Sequence, residues 1–170
     1  EVAEVRVVVA APDQDLPPLP RDVRVVRDPV AHKGPLQGIA TGLAALPESV
    51  ELAYASATDV PFLRPAWVSR LVELIGEDDL VIPDVGGYLH PLAALYRRET
   101  TIPAVEALLA AQRYRPVFLL ERLRGRVVTP ADLHSVDPDL KTLRNLNTPE
   151  DYETALREIV ETAADLGETR

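Results

Sequence analysis

The sequence predicts an α/β fold, a mostly parallel sheet with helices on both faces. Three observations carry that expectation. Short apolar runs alternate with segments of helical spacing through the first half of the chain, the order that strand–helix–strand units require. One run, Leu52-Ala53-Tyr54-Ala55-Ser56-Ala57, is apolar or small throughout and reads as a strand buried on both faces, as in a parallel sheet. The length, 170 residues, is ample for one core and makes a single domain over residues 1–170 the default.

Val5 to Ala10 reads as the first strand, Pro12 to Pro20 as a proline-rich loop, and Val23 to Arg27 as a second strand. A loop from Asp28 to Pro35 leads to Leu36–Leu46, where Leu36, Ile39, Ala40, Leu43 and Ala44 recur with helical spacing. Gly38 and Gly42 each weaken that helix by about 1 kcal/mol relative to alanine, and they let a sheet or ligand approach closely. Glu51 to Ala57 is the expected central strand. Pro65 to Ile75 reads as a helix with Pro65 in its first turn and Gly76 as its stop. Leu80–Pro83 is a short strand, Gly86-Gly87 a turn, and His90–Tyr96 a further strand. Helices are expected at Val105–Gln112 and Pro116–Leu123, a strand at Arg126–Thr129, and an extended segment at Leu143–Leu146. Thr148-Pro149-Glu150-Asp151 opens the last helix, with Thr148 as N-cap, Pro149 at the first position and Asp151 at the capping-box position. It runs to about Leu166, and Gly167 ends it. The second half is less regular, which predicts a mixed sheet with an antiparallel edge.

Composition narrows the function classes. Apolar residues make up 46% and charged residues 26%, ordinary for a globular protein in water. The longest apolar runs fall far short of the ~18 residues of a membrane span, and no signal-peptide core is visible, so no membrane is expected. The net charge of −9, from 18 basic and 27 acidic residues, argues against a general nucleic-acid surface. A local cation or a metal can still hold a small phosphate. The absence of cysteine excludes disulfides, thiolate chemistry and Cys-based zinc sites, and suits a reducing compartment. Methionine is absent too, and Glu1-Val2-Ala3-Glu4 leads straight into a strand. The expectation is a fragment, a processed chain or a protein without its natural N-terminus.

Three loops stand at strand ends, where open α/β sheets bind ligands. In the first, Lys33-Gly34-Pro35-Leu36-Gln37-Gly38 offers a cation, exposed backbone and a helix N-terminus, a combination that favours an anion but that also makes an ordinary turn. In the second, Asp59 follows the apolar run and precedes Pro61 and Pro65. A lone carboxylate there suits a hard cation such as Mg²⁺ beside a nucleotide phosphate, and equally a turn. In the third, Asn145 and Asn147 share one side of an extended segment. Their paired donors and acceptors suit a base or pterin edge, or a local cap before the helix. His32, His90 and His134 are scattered without metal-ligand spacing, and no Walker, Gly-x-Gly-x-x-Gly or Gly-x-Ser-x-Gly motif occurs.

An ordered set of segments carries a resemblance over nearly the whole chain. Asp28-Pro29, Lys33-Gly34-Pro35-Leu36-Gln37-Gly38-Ile39, Ala57-Thr58-Asp59-Val60-Pro61-Phe62, His90-Pro91-Leu92-Ala93-Ala94-Leu95-Tyr96, Arg115-Pro116-Val117 and Asn145-Leu146-Asn147-Thr148-Pro149-Glu150-Asp151 resemble, in that order, the molybdenum cofactor guanylyltransferases. The closing Asn-x-Asn-Thr-Pro-Glu-Asp is the most discriminating. The resemblance implies a Rossmann-like three-layer α/β/α nucleotidyltransferase that transfers GMP from GTP to molybdopterin-bound molybdenum cofactor and releases pyrophosphate. It implies Mg²⁺ on Asp59, with Asp59 catalytic. Asp28, Lys33, Gly34 and Asp59 fall on the nucleotide side. His90, Asn145 and Asn147 fall on the cofactor side, opposite the nucleotide. A cytoplasmic location, GTP and molybdopterin cofactor as substrates, and a molybdoenzyme or cofactor-delivery protein as partner follow from the same resemblance.

The sequence departs from the family in one respect. The family opens with a strand and a glycine-rich loop, Leu-Ala-Gly-Gly-x-x-x-Arg-Met-Gly and then Lys, that cradles the triphosphate. Residues 1–170 hold no such segment, and Ala10-Ala11 stand near a position where some members have Asn. Two alternatives follow: a cytidylyl- or sugar-phosphate nucleotidyltransferase with the same core, and a non-catalytic module that keeps cofactor contacts. The choice between GTP and CTP stays open at the level of sequence.

Overall fold

Residues 3–30 and 33–167 are described in a computed structural model, with side chains to residue 160. Glu1, Val2, Ala31 and His32, which figure in the N-terminal and first-loop readings, lie outside them. The elements are β1 (Arg6–Ala10), β2 (Val23–Arg27), α1 (Pro35–Ala45), β3 (Leu52–Ser56), α2 (Pro65–Ile75), β4 (Leu80–Val85), β5 (Tyr88–Leu89), β6 (Ala93–Arg97), α3 (Arg98–Ala110), β7 (Gly125–Val128), α4 (Pro130–Leu133) and α5 (Pro149–Gly167). Short 3₁₀ turns cover Pro116–Glu121 and Lys141–Leu143.

The strands form two sheets. β1 and β2 pair in parallel, with Arg6 opposite Val23. The larger sheet runs β3-β6-β4-β7, and the short β5 folds back on the end of β4. β6 is antiparallel to both β3 and β4, whereas β4 and β7 are parallel. β3, β4 and β7 therefore share one direction.

Period-two alternation along the inner strands builds the three layers. Leu80 and Ile82 of β4, with Ala94 and Tyr96 of β6, face Leu36, Ile39 and Leu43 of α1 and Val105 and Leu108 of α3. Val81 and Leu95 face the other way, onto Trp67, Leu71 and Ile75 of α2 and Leu133 of α4. The sheet is covered on both faces, the α/β/α architecture expected.

Helix α1 registers the two sheets. At its C-terminal end Arg24, at the start of β2, donates to the Ala45 carbonyl at 2.5 Å. Arg98, just past β6, donates to the Leu43 carbonyl at 3.2 Å. Arg97 pairs with Leu52, so that end of β6 is also where β3 begins. β2 and β3 thus start at one end and finish at the opposite rim, where α1 begins. Gly42 permits the approach of α1 to β1: a Cβ there would stand 3.3 Å from the Val9 side chain.

Four readings need correction. β3 is not central or buried on both faces: it is an edge of its sheet, half-buried over Leu52–Ala55, because its second edge has no strand partner among the described residues. The antiparallel pairing is not confined to an edge: besides the two-residue β5 at the end of β4, the internal β6 is antiparallel, because the β4–β5 hairpin turns the chain back between β4 and β3. α3 starts at Arg98, seven residues earlier than the spacing suggested. Pro103 is accommodated within it on the exposed side, at the cost of one helical hydrogen bond. Pro116–Glu121 is a 3₁₀ turn where a helix of the α type was expected. Helix α4 was missed, although Thr129-Pro130-Ala131-Asp132 repeats the pattern of Thr148-Pro149-Glu150-Asp151. Both form reciprocal caps: Asp132 accepts from the Thr129 amide, and Asp151 from the Thr148 amide at 3.0 Å.

Thr148 also accepts from the Asp151 amide at 3.1 Å. Replacing Thr148 by Ala should lower unfolding free energy by about 1 kcal/mol in a urea titration. The Thr148 hydroxyl, and then the Asn147 and Thr148 amides, hold the Asp151 carboxyl below the usual carboxylate range. A depressed folded pKa gives stability that is present above the unfolded value, about 3.9, and is lost as pH falls through the folded one. Asp151→Asn should therefore flatten the acid limb of the stability profile.

Candidate functional site

The residues from Ala57 to Arg64 leave the end of β3 and enter α2. Their start is fixed by the Ala57 amide, which donates to the Leu92 carbonyl at 3.1 Å, and their end by Pro65 at the first position of α2. Asp59 is half-buried between them. It is met by a segment 86 residues further on: Asn145 Nδ2 donates to Asp59 Oδ2 at 2.8 Å, and the Leu146 amide donates to the Asp59 carbonyl at 2.8 Å. Two further contacts close the same pair of segments. The Arg144 guanidinium lies 5.2 Å from the Phe62 ring centre. Arg64 Nε lies 3.6 Å from Oδ1 of Asp137, whose side chain is fully buried. Asp137 Oδ2 accepts from the Thr142 amide at 2.7 Å and so shapes the turn that delivers Asn145.

The other candidates fall on the same rim. Asp28 follows β2, and its amide donates to the Ala10 carbonyl at 2.8 Å. Its Oδ1 accepts from Thr41 Oγ1 at 2.6 Å, and Thr41 in turn accepts from Gln37 Nε2 at 3.3 Å. Gly34 adopts φ +74°, which a side chain would strain, and leads into α1 with no acidic residue in the first turn. Lys33 Nζ donates to Tyr114 Oη at 3.1 Å. His90 is held by its backbone, its amide donating to the Pro83 carbonyl at 2.9 Å. Burial pushes its imidazole below the usual histidine range, while the nearby charge of Asp84 pulls it back up.

The fold therefore brings Asn145 onto Asp59, and this is where the expected cofactor side and nucleotide side meet. Asn147 does not share that contact: its amide donates to Asp151 at 3.1 Å and its side chain is exposed. Asp28, Lys33 and His90 make contacts of their own and none to Asp59 among the described residues. Sequence reading missed Thr41, Arg64, Tyr114, Asp137 and Arg144. The signal available for Asp137 was a carboxylate amid Leu133, Val136 and Leu140.

Among the described residues no group of three or more His, Cys, Asp or Glu side chains could hold a metal. That excludes an all-protein metal cage there. It fits an ion taken from solution with a nucleotide, because Mg²⁺ is held by one or two carboxylates plus phosphate oxygens and keeps its remaining waters. Asp59 has one oxygen engaged by Asn145 and the other available.

The chain is similar to known proteins over most of its length. Residues 1–127 match the model of the MobA-like NTP transferase domain. A molybdenum cofactor guanylyltransferase of Desulfosudis oleivorans is 34% identical over 124 residues, which are 72% of this chain and 60% of that protein. A probable molybdenum cofactor guanylyltransferase of Mycobacterium avium is 33% identical over 143 residues, 76% of this chain and 71% of that one. The crystal structure of molybdopterin-guanine dinucleotide biosynthesis protein A from Archaeoglobus fulgidus superposes with a TM-score of 0.66 at 25% identity, covering 81% of this chain and 69% of that one. The chain spans about six tenths of the length of the first curated relatives it matches.

Two outcomes are expected. Asp137→Ala should destabilise the protein by about 3 kcal/mol, because it leaves the Arg64 guanidinium and the Thr142 amide without their buried partner; chemical denaturation measures it. In an NMR titration His90 should protonate below the ordinary histidine range, and Asp84→Asn should lower its pKa further by removing the opposing charge.

Proposed function

Because the chain belongs to the MobA-like NTP transferase family, we propose that it acts as a molybdenum cofactor guanylyltransferase. An acceptor phosphate oxygen on molybdopterin-bound molybdenum cofactor attacks the α-phosphorus of GTP. The bond from that phosphorus to the oxygen bridging it to the β-phosphate breaks, GMP is joined to the cofactor, and pyrophosphate leaves. The single observation that carries the reading is the clasp of Asn145 on Asp59 at the end of β3. It sets one oriented carboxylate at the rim where open α/β sheets take ligands.

In this reading Asp59 holds Mg²⁺, which supplies charge stabilisation at the phosphates when bound. Asn145 fixes the Asp59 carboxylate and leaves its second oxygen outward. Asp28, held by Thr41, accepts from hydroxyls or N–H groups of the nucleoside. Gly34 lets backbone approach the nucleotide closely, and the Lys33 ammonium donates to it. His90 and Asn147 border the cofactor side; at neutral pH the His90 imidazole is uncharged and presents one donor and one acceptor to a pterin. A cytoplasmic location and a molybdoenzyme or cofactor-delivery protein as recipient complete the proposal.

The test is GMP transfer from GTP to molybdopterin cofactor, with Mg²⁺ dependence and with CTP as competitor. Asp59→Asn should keep the parent melting temperature and lose about a hundredfold or more in transfer, the scale of removing one charge-stabilising group. Asn145→Ala should raise the Mg²⁺ concentration needed for half-maximal rate. CTP should compete poorly with GTP. Near-full transfer by Asp59→Asn would remove the carboxylate from the mechanism.

A further inference from the structure

Nine cations of this acidic chain are tied to carboxylates among the described residues, and Lys33 is not one of them. Its Nζ is instead held by one side chain from across the fold: it donates to Tyr114 Oη at 3.1 Å and lies 4.7 Å from the centre of the same ring. The two residues are 81 apart in sequence. Tyr114 is itself fixed, because it lies between α3 and the 3₁₀ turn at Pro116, and its carbonyl is 4.0 Å from where a Gly34 Cβ would stand. The phenol fixes the ammonium without neutralising it. A phenol accepts one hydrogen bond and an aromatic face attracts a cation, yet neither cancels its charge.

We propose that Tyr114 is a positioning residue for nucleotide binding, holding the Lys33 ammonium ready for a phosphate oxygen of the nucleotide. This rests on the function proposed above. An ammonium is a donor-only point charge, and a free lysine stem loses rotamer freedom when it is ordered on binding. Tyr114 orders the stem beforehand, and an ion pair with Asp or Glu would have spent the charge. The assignment is to phosphate and not to the base, so the effect belongs to nucleotides and not to the nucleoside.

The experiment is a thermodynamic cycle of Tyr114→Leu, Lys33→Met and the double variant, with Tyr114→Phe as the conservative change. Affinities for GTP and for guanosine are measured by titration, and melting temperatures are recorded. Lys33→Met should weaken GTP about tenfold, Tyr114→Leu several-fold, and Tyr114→Phe about twofold, since the ring contact survives. The double variant should be no weaker than Lys33→Met alone, because the tyrosine acts only through the lysine. Guanosine affinity should stay at the parent value throughout. Additive losses would overturn the positioning role, and an equal loss for guanosine would overturn the phosphate assignment. Either can occur while the parent protein still binds GTP. A parent protein that binds no GTP would overturn this assignment together with the reading it rests on.

Discussion

The clasp between Ala57–Arg64 and Asp137–Asn147 is the constraint on which the site depends. Neither segment has regular structure over most of its length, so neither could hold a functional side chain on its own backbone hydrogen bonds. Joined, each supplies what the other lacks. The Leu146 amide satisfies the Asp59 carbonyl, Asn145 orients the Asp59 carboxylate, and Arg64 partners the buried Asp137. The ion pair is the costly member, since a fully buried carboxylate must recover its lost hydration from one amide and one guanidinium at 3.6 Å. Such pairs add little net stability over an apolar replacement. What this one adds is a fixed link between the two segments.

The sheet explains why the clasp lies where it does. Open α/β architecture leaves loops at the carboxyl ends of the strands, and β3 ends there while its antiparallel neighbour β6 begins there. The Ala57–Leu92 hydrogen bond locks the loop carrying Asp59 to the one carrying His90. On the other side of α1, Asp28 and Lys33 reach the same rim through β2. Candidate residues from four stretches of sequence thus converge on one edge, without contacting one another directly except at Asp59 and Asn145.

Much of this was legible in the sequence, and the failures have specific causes. Helices α2 and α5 were placed to within a residue or two, because Pro65, Gly76, Thr148 and Pro149 are local signals whose physics does not depend on the rest of the chain. The strand containing Leu52–Ser56 was found, but its place in the sheet was not. An apolar run records that a strand is shielded, and the small side chains of Ala53 and Ala55 hide whether a neighbour stands on one edge or two. α3 was read short, since Pro103 is a strong breaker in isolation and only the exposed position of that turn makes it tolerable. Asp59 was recognised from its position after a strand, and Asn145 from a motif, but their contact spans 86 residues and no spacing rule encodes it. Tyr114 carried no chemical pattern, and Asp137 only a carboxylate set among apolar residues; their meaning lies in burial and in a partner far along the chain.

Helix α5 transmits order from a simple local signal to the site. The reciprocal cap of Thr148 and Asp151 starts the helix at a fixed residue. Ala155 then seats it against the body, buried to 2% exposure. One turn on, Glu158 accepts from Arg144 at 2.6 Å and from Lys141 at 3.4 Å, and these bonds hold the Glu158 carboxyl below its usual range. Arg144 is also the residue that covers Phe62 beside Asp59. Each of these surface pairs contributes little stability by itself. Their effect on the site is geometric: the residue before Asn145 is held from two sides, by the helix behind it and the ring in front. The amide of Asn145 consequently has little choice of direction, and the carboxylate it meets inherits that order.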